Sequence, residues 1–372
     1  MSFQPGPSIP TVAETLSHPS YSTAIWKLQP DKQGLATVAE GRGGPFNISW
    51  EIHGEGPIKL IFIMGLGGLK SAWQRQTLYF GHENRTKYSV LVYDNRGIGD
   101  SDKPLMRYST TEMALDAAEL LASPQVGWLP SYPLPPSFQP SSSESRIHVT
   151  GISLGGMISQ ELALLIPSAV SSLNLCCTAA NIENTTGFAE NMANRASMLV
   201  PKSLDRSVGD AARQIFASSW LTSPDDAHLP SPGRTPKCLP PFPSEPETPY
   251  GRFESNAQRF VAQEMHKRLD PSRFGIKGFL LQLVAAGWHH KSEAQLKELA
   301  EKVGRERILV MHGTEDRMIS PPHGEKLIRY LQPAAGIIVE GMGHAPSMER
   351  TEWFNKTLEE RFEVGEKLDR EG

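Results

Sequence analysis

Ser153 stands between two glycines, in Gly151-Ile-Ser153-Leu-Gly155, where an apolar run meets a helical one. The run Ile147–Ile152 reads as a buried strand, and Leu154–Ile166 carries apolar residues at helical spacing. A serine at such a junction must enter a strained, positive-φ turn to present its Oγ. Glycines two residues to either side remove the β-carbons that would clash there. The same turn leaves the Leu154 N–H free at a helix N-terminus, placed to stabilise an oxyanion. The chemistry such an arrangement serves is nucleophilic attack on an acyl carbon.

A serine hydroxyl is a poor nucleophile near neutral pH and needs an oriented base. Two candidates follow in the order acid, then histidine, each in a loop after a strand-like run. Asp316 follows Ile308–His312 in Gly313-Thr-Glu-Asp-Arg-Met-Ile-Ser, and His344 follows Ile337–Glu340 in Gly341-Met-Gly-His-Ala-Pro. Glu315, Asp225 and Asp226 compete for the acid role, but the last two fall in an insertion. The glycine-containing loop Met64-Gly-Leu-Gly-Gly68 can aim N–H groups at a developing charge, with Leu66 as the second candidate donor. Each residue also has a plainer reading: Ser153 as a helix N-cap, Asp316 as a turn aspartate.

Most of the 11 histidines are expected to be bystanders. His312 should end a strand with its ring packed, His148 should point outward from a strand, and His323 begins a helix beside Pro322. His289 and His290 lie where the insertion rejoins the sheet, where structural or gating roles outweigh catalysis. No His, Cys and Asp cluster has metal-ligand spacing, and Gly65–Gly68 lacks the spacing of a dinucleotide fingerprint. No metal and no cofactor are expected.

The elements that must position these residues alternate. Gly34–Glu40 and Phe46–His53 read as a hairpin; Ile58–Met64, Tyr88–Asp94, Leu173–Thr178, Arg307–His312 and Gly336–Glu340 read as buried strands separated by helical segments. This predicts an α/β fold with a mostly parallel sheet covered by helices on both faces. Residues 1–33 form an N-terminal extension, expected to drape over the surface. Residues 124–145 form a Pro- and Ser-rich loop. Residues 183–290 hold helical patterns and no strand, which reads as a helical cap inserted between core segments 34–182 and 291–372. Its Pro-rich stretch 222–250 leans toward disorder. Met157, Met192, Met198, Phe216, Trp220, Phe274 and Phe279 could line an apolar pocket with Trp73, although apolar residues at helical spacing are usually core.

With 372 residues the chain can bury a sizeable core. A net charge of −4 gives no footprint for nucleic acid or for an acidic membrane surface. Three cysteines cannot build a disulfide framework. With no apolar signal segment at the N-terminus and no run of membrane-spanning length, the expectation is a cytoplasmic protein without stable membrane association. Its expected partner is a small-molecule ester.

Taken together, the glycine loop, Asp94-Asn-Arg-Gly-Ile-Gly-Asp-Ser101, the Ser153 turn and the Asp316 and His344 loops resemble the α/β-hydrolase fold family across residues 34–182 and 291–364. The Gly-x-Ser-x-Gly-Gly-Met elbow is similar to that of its esterase-like members. The resemblance implies a Ser153-His344-Asp316 triad, an oxyanion hole from Leu66 and Leu154, and cleavage of a small or medium, mainly apolar carboxylic ester. It also leaves open acyl transfer, thioester, lactone or carbon–carbon hydrolysis, and a non-catalytic ligand-binding module. Met64 departs from the pattern, since many relatives have a histidine there that orders the loop. Serine at 153 disfavours epoxide opening and halide displacement, for which relatives use aspartate.

Overall fold

The computed structural model describes residues 8–135, 137, 138, 140, 146–183 and 202–371. Eight strands form one sheet: β1 (Lys32–Val38), β2 (Phe46–His53), β3 (Ile58–Ile63), β4 (Tyr88–Tyr93), β5 (Ile147–Ile152), β6 (Val170–Cys176), β7 (Ile308–Gly313) and β8 (Ala335–Val339). Their spatial order is β1-β2-β4-β3-β5-β6-β7-β8. β1 and β2 make the expected antiparallel hairpin, with Val38 opposite Phe46, and β2 runs antiparallel to β4. From β4 to β8 every pairing is parallel.

The central strands are buried on both faces, which is why they read as continuous apolar runs. Alternation sorts their side chains: Ile61, Ile63, Val149 and Leu175 face one layer, and Leu60, Phe62, Val90 and Met311 face the other. The first layer holds α2 (Thr110–Ala122), α3 (Leu154–Leu165), α8 (Glu293–Val303) and α9 (Pro321–Leu331). The C-terminal helix α10 (Thr351–Glu371) closes the second through Phe354, Leu358 and Phe362. His148 does not face solvent as its place in the pattern suggested. It is buried, with Nδ1 on Ser172 Oγ and Nε2 on Glu366, because α10 covers that side of β5.

Between β6 and α8 the described residues form α4 (Leu204–Ile215), α5 (Ser218–Thr222), α6 (Asn256–Arg268) and α7 (Ile276–Trp288). The N-terminal segment does more than drape. Helix α1 (Val12–Leu16) carries a capping box from Thr11 to Glu14, and Ile9, Val12 and Tyr21 pack onto the core formed by α4, α5 and α6. The Pro-rich stretch is likewise ordered where described: Leu28 bridges Cys238, His82 Nδ1 bonds the Pro236 carbonyl at 2.7 Å, and Tyr250 Oη donates to Leu239 O at 2.8 Å. Its apolar side chains find partners in Trp26 and Leu78, which supply burial that composition alone does not foretell. Among the described residues no helix is long and apolar enough to cross a membrane.

The crossing of β5 into α3 is packed to contact. A β-carbon on Gly155 would overlap the Ile63 carbonyl at the end of β3. Replacing a helical glycine by alanine ordinarily gains about 1 kcal/mol from propensity, whereas overpacking costs about 1–3 kcal/mol. Gly155→Ala is therefore expected to destabilise the protein, read as a lowered urea midpoint with an unchanged slope.

Candidate active site

Ser153 has φ +57° and ψ −125°, a conformation held because its peptide is bonded on both sides. Its N–H donates to Cys176 O at 3.0 Å, and its carbonyl accepts from Thr178 Oγ1 at 2.7 Å. The loop after β3 lies directly against it. A β-carbon on Gly65 would come within 2.9 Å of Ser153 Cβ and 3.4 Å of its Oγ. The backbone N–H groups of Leu66 and Leu154 donate to no backbone or side-chain acceptor among the described residues. They are free donors beside the hydroxyl.

Asp316 and His344 meet at the ends of β7 and β8. His344 Nδ1 lies 2.7 Å from Asp316 Oδ2, and Asp316 Oδ1 accepts the N–H groups of Met318 and Ile319 at 2.9 Å each. Burial alone would raise the Asp316 carboxyl. The His344 ring, the hydrogen bonds from His312 and His344, and the charge on His312 outweigh it and hold the group well below the usual carboxylate range. His312 is the partner that sequence reasoning missed: its Nε2 is 3.1 Å from Asp316 Oδ2. The i, i+4 spacing of His312 and Asp316 across the β7 turn was the available signal. Among the described residues no hydrogen bond joins Ser153 Oγ to His344, a contact that in many such sites tightens only around substrate.

Asp225 is engaged elsewhere, in a bidentate pair with Arg259 at 2.6 and 2.7 Å, and Asp226 accepts from Trp220 Nε1. His289 is buried with Nδ1 at 2.9 Å from Thr110 Oγ1, and burial lowers it to about 3. Cys177, Asp316 and His344 bring three metal-ligand types within 4.8 Å of one another. The His344 Nδ1 and Asp316 Oδ2 atoms of that group are already joined to each other, and burial pushes the Cys177 thiol well up.

Trp73 and Met157 do not reach solvent. Trp73 stacks on Phe354 and tilts against Phe62 in the second core layer, and Met157 lies in the first. Phe216 and Trp220 stack on each other in the core of the inserted helices. Phe279 and Phe274 are the expected pocket residues found at the site, since a β-carbon on Gly67 would meet both rings. Met192 and Met198 lie outside the described residues.

Two buried charges secure the loops around the serine. Lys70 donates its N–H to Asp94 Oδ1 and its Nζ to Asp94 Oδ2, Asp100 and Ser49. Arg96 forms a bidentate pair with Asp116 at 2.5 and 2.6 Å, with Phe46 and Tyr108 over its guanidinium. Asn95 Nδ2 donates to Met64 O at 3.0 Å, so a side chain from the neighbouring loop orders the position where a histidine is missing.

The His344 loop is tied to the inserted helices. His344 N–H donates to Ile215 O, and Glu349 Oε2 accepts from both Gly343 N–H and Ala217 N–H at 3.1 and 3.2 Å. Burial raises Glu349 to about 7 despite those bonds. A carboxyl raised on folding favours the native state while protonated, so its contribution falls as pH rises from its ordinary 4.5 through about 7. Glu349→Gln is expected to flatten that decline, measured as urea midpoints at about pH 5 and about pH 8.

The model of the α/β hydrolase family matches residues 52–357, and the chain belongs to that family. Over 162 residues it is 30% identical to 3-oxoadipate enol-lactonase 2 of Acinetobacter baylyi, a stretch covering 44% of this chain and 51% of that one. The chain thus spans about half the length of that curated relative. A thermophilic esterase from Thermogutta terrifontis superimposes with a TM-score of 0.58 at 18% identity, covering 90% of this chain and 99% of that one. The enol-lactonase from Burkholderia xenovorans gives 0.57 at 19%, covering 88% and 98%. At these identities the structural likeness shows the fold.

Proposed function

We propose that the protein is a serine hydrolase that cleaves a carboxylic ester of a small or medium, mainly apolar substrate through an acyl-enzyme. The observation that carries this reading is the strained Ser153 turn, with a glycine loop packed against its hydroxyl and two free N–H groups beside it. Ser153 Oγ attacks the acyl carbon as His344 takes its proton. Asp316 holds the imidazole with Nδ1–H toward the carboxylate and stabilises the imidazolium. The Leu66 and Leu154 N–H groups receive the oxyanion. His344 then protonates the leaving alkoxide, and water repeats the sequence to release the acid.

Phe274 and Phe279 over the glycine loop favour an apolar acyl or alcohol group. The inserted helices serve in this reading as a cap over the site. The name of the Acinetobacter relative brings cyclic esters, which need the same attack, into the range of substrates worth testing.

Ser153→Ala is expected to abolish both fluorophosphonate labelling and ester turnover while leaving the circular dichroism spectrum unchanged. Labelling that persists in that variant refutes the assignment. Asp316→Asn is expected to lower turnover by about 10⁴-fold through the wrong histidine tautomer. Steady-state kinetics on any ester the wild type cleaves checks this.

A further inference from the structure

Gln282 lies on α7, in the insertion, more than a hundred residues from Ser153 and from the glycine loop. Its side chain is fully buried. Gly67 N–H donates to its Oε1 at 3.0 Å, and its Nε2 donates to Arg96 O at 2.9 Å. Both ends of the amide are therefore used, one on each loop that flanks the serine. The helix reaches the loops closely enough for this because Gly278, one turn earlier, rests on Gly97; a β-carbon there would overlap the Gly97 carbonyl. Phe279 fills the space over Gly67.

We infer that Gln282 is a positioning residue for the oxyanion hole. The bond to Gly67 N–H fixes the plane of the Leu66–Gly67 peptide, immediately after the Leu66 N–H. Gly67 has φ +66°, and a glycine there has wide backbone freedom unless something outside the loop holds it. The Arg96 carbonyl fixes the amide's other end, and Arg96 is itself locked by Asp116. One chain of contacts thus runs from a buried ion pair, through the inserted helix, to the loop that supplies the donor. An oxyanion donor works because it is already aimed when charge develops, so the inserted helix supplies part of the catalytic preorganisation as well as a cover.

This inference rests on the reading of Leu66 as an oxyanion donor. Its test is Gln282→Met, which keeps the volume and removes both hydrogen bonds. Removing a donor outright costs about 10²–10³-fold in turnover; loosening one should cost about tenfold in kcat and in the rate of fluorophosphonate labelling, with KM within about twofold. Gln282→Glu provides the second readout. When protonated, the introduced carboxyl reproduces the amide's pattern, accepting from Gly67 and donating to Arg96 O. When ionised, it opposes that carbonyl. Its kcat should approach wild type at low pH relative to the wild-type profile and fall away as pH rises, an ionisation that a merely structural role would not impose.

Wild-type kcat and labelling rate in Gln282→Met, or a rise in KM alone, overturn the proposal. If Gln282→Met does not fold, the pH profile of Gln282→Glu decides, and a profile parallel to wild type overturns it. Ser153→Ala run alongside separates the two levels. Loss of labelling there, with unaffected Gln282 variants, removes the positioning role and leaves the serine hydrolase standing.

Discussion

The Ser153 backbone, at φ +57° and ψ −125°, is a conformation that L side chains rarely adopt, and holding one such residue costs of order 1–3 kcal/mol. The surroundings over-determine it. Gly155 sits against the end of β3, Gly65 sits against the serine itself, and the Ser153 peptide is bonded at both its N–H and its carbonyl. The parallel sheet makes this possible by bringing the ends of β3, β5 and β6 to the same edge. The turn sets the hydroxyl beside Gly65 and leaves the Leu154 N–H without an acceptor among the described residues.

Around that turn the loops are held by buried charges. Lys70 with Asp94 and Arg96 with Asp116 are nearly sealed from water; Lys70 Nζ also donates to Ser49 and Asp100, whereas Arg96 Nη1 has no hydrogen-bond partner among the described residues and the guanidinium lies against the Phe46 and Tyr108 rings. Such pairs contribute modestly to net stability against apolar replacements, but removing one partner strands the other. Their value here is geometric. They anchor the 64–70 and 94–101 loops at Lys70, Asp94 and Arg96, and Gln282 of the inserted helices bonds to both loops between those anchors. The histidine loop is handled the same way, through Ile215, Ala217 and Glu349. Both halves of the candidate machinery thus touch the insertion through the backbone.

The sheet and the candidate triad were legible for a physical reason: buried parallel strands are short apolar runs, and a nucleophile turn needs glycines at fixed offsets. Residues whose role depends on what packs against them were not legible. Trp73 was read among the apolar residues that could line a pocket, yet the C-terminal helix brings Phe354 onto it and it is buried in the core. His148 looked outward-facing because alternation assumes one wet face, and α10 removes that face. His312 is the packed strand end that was expected, but its contact with Asp316, returned to its ring by a four-residue turn, was not legible.

Sequence by itself determined the order of strands and helices, the position of Ser153 between them, and the placing of Asp316 and His344 after later strand-like runs. These are local properties, set by side-chain periodicity and by the sterics of a few consecutive residues. Tertiary structure alone decided which groups meet across the insertion: Gln282 with Gly67 and Arg96, Glu349 with Gly343 and Ala217, and the N-terminal segment with the Pro-rich stretch. Those contacts join residues tens to hundreds of positions apart, through hydrogen bonds whose donors and acceptors exist at almost every residue. No spacing marks them, because their specificity comes from burial, where leaving a polar group without a partner carries a desolvation cost.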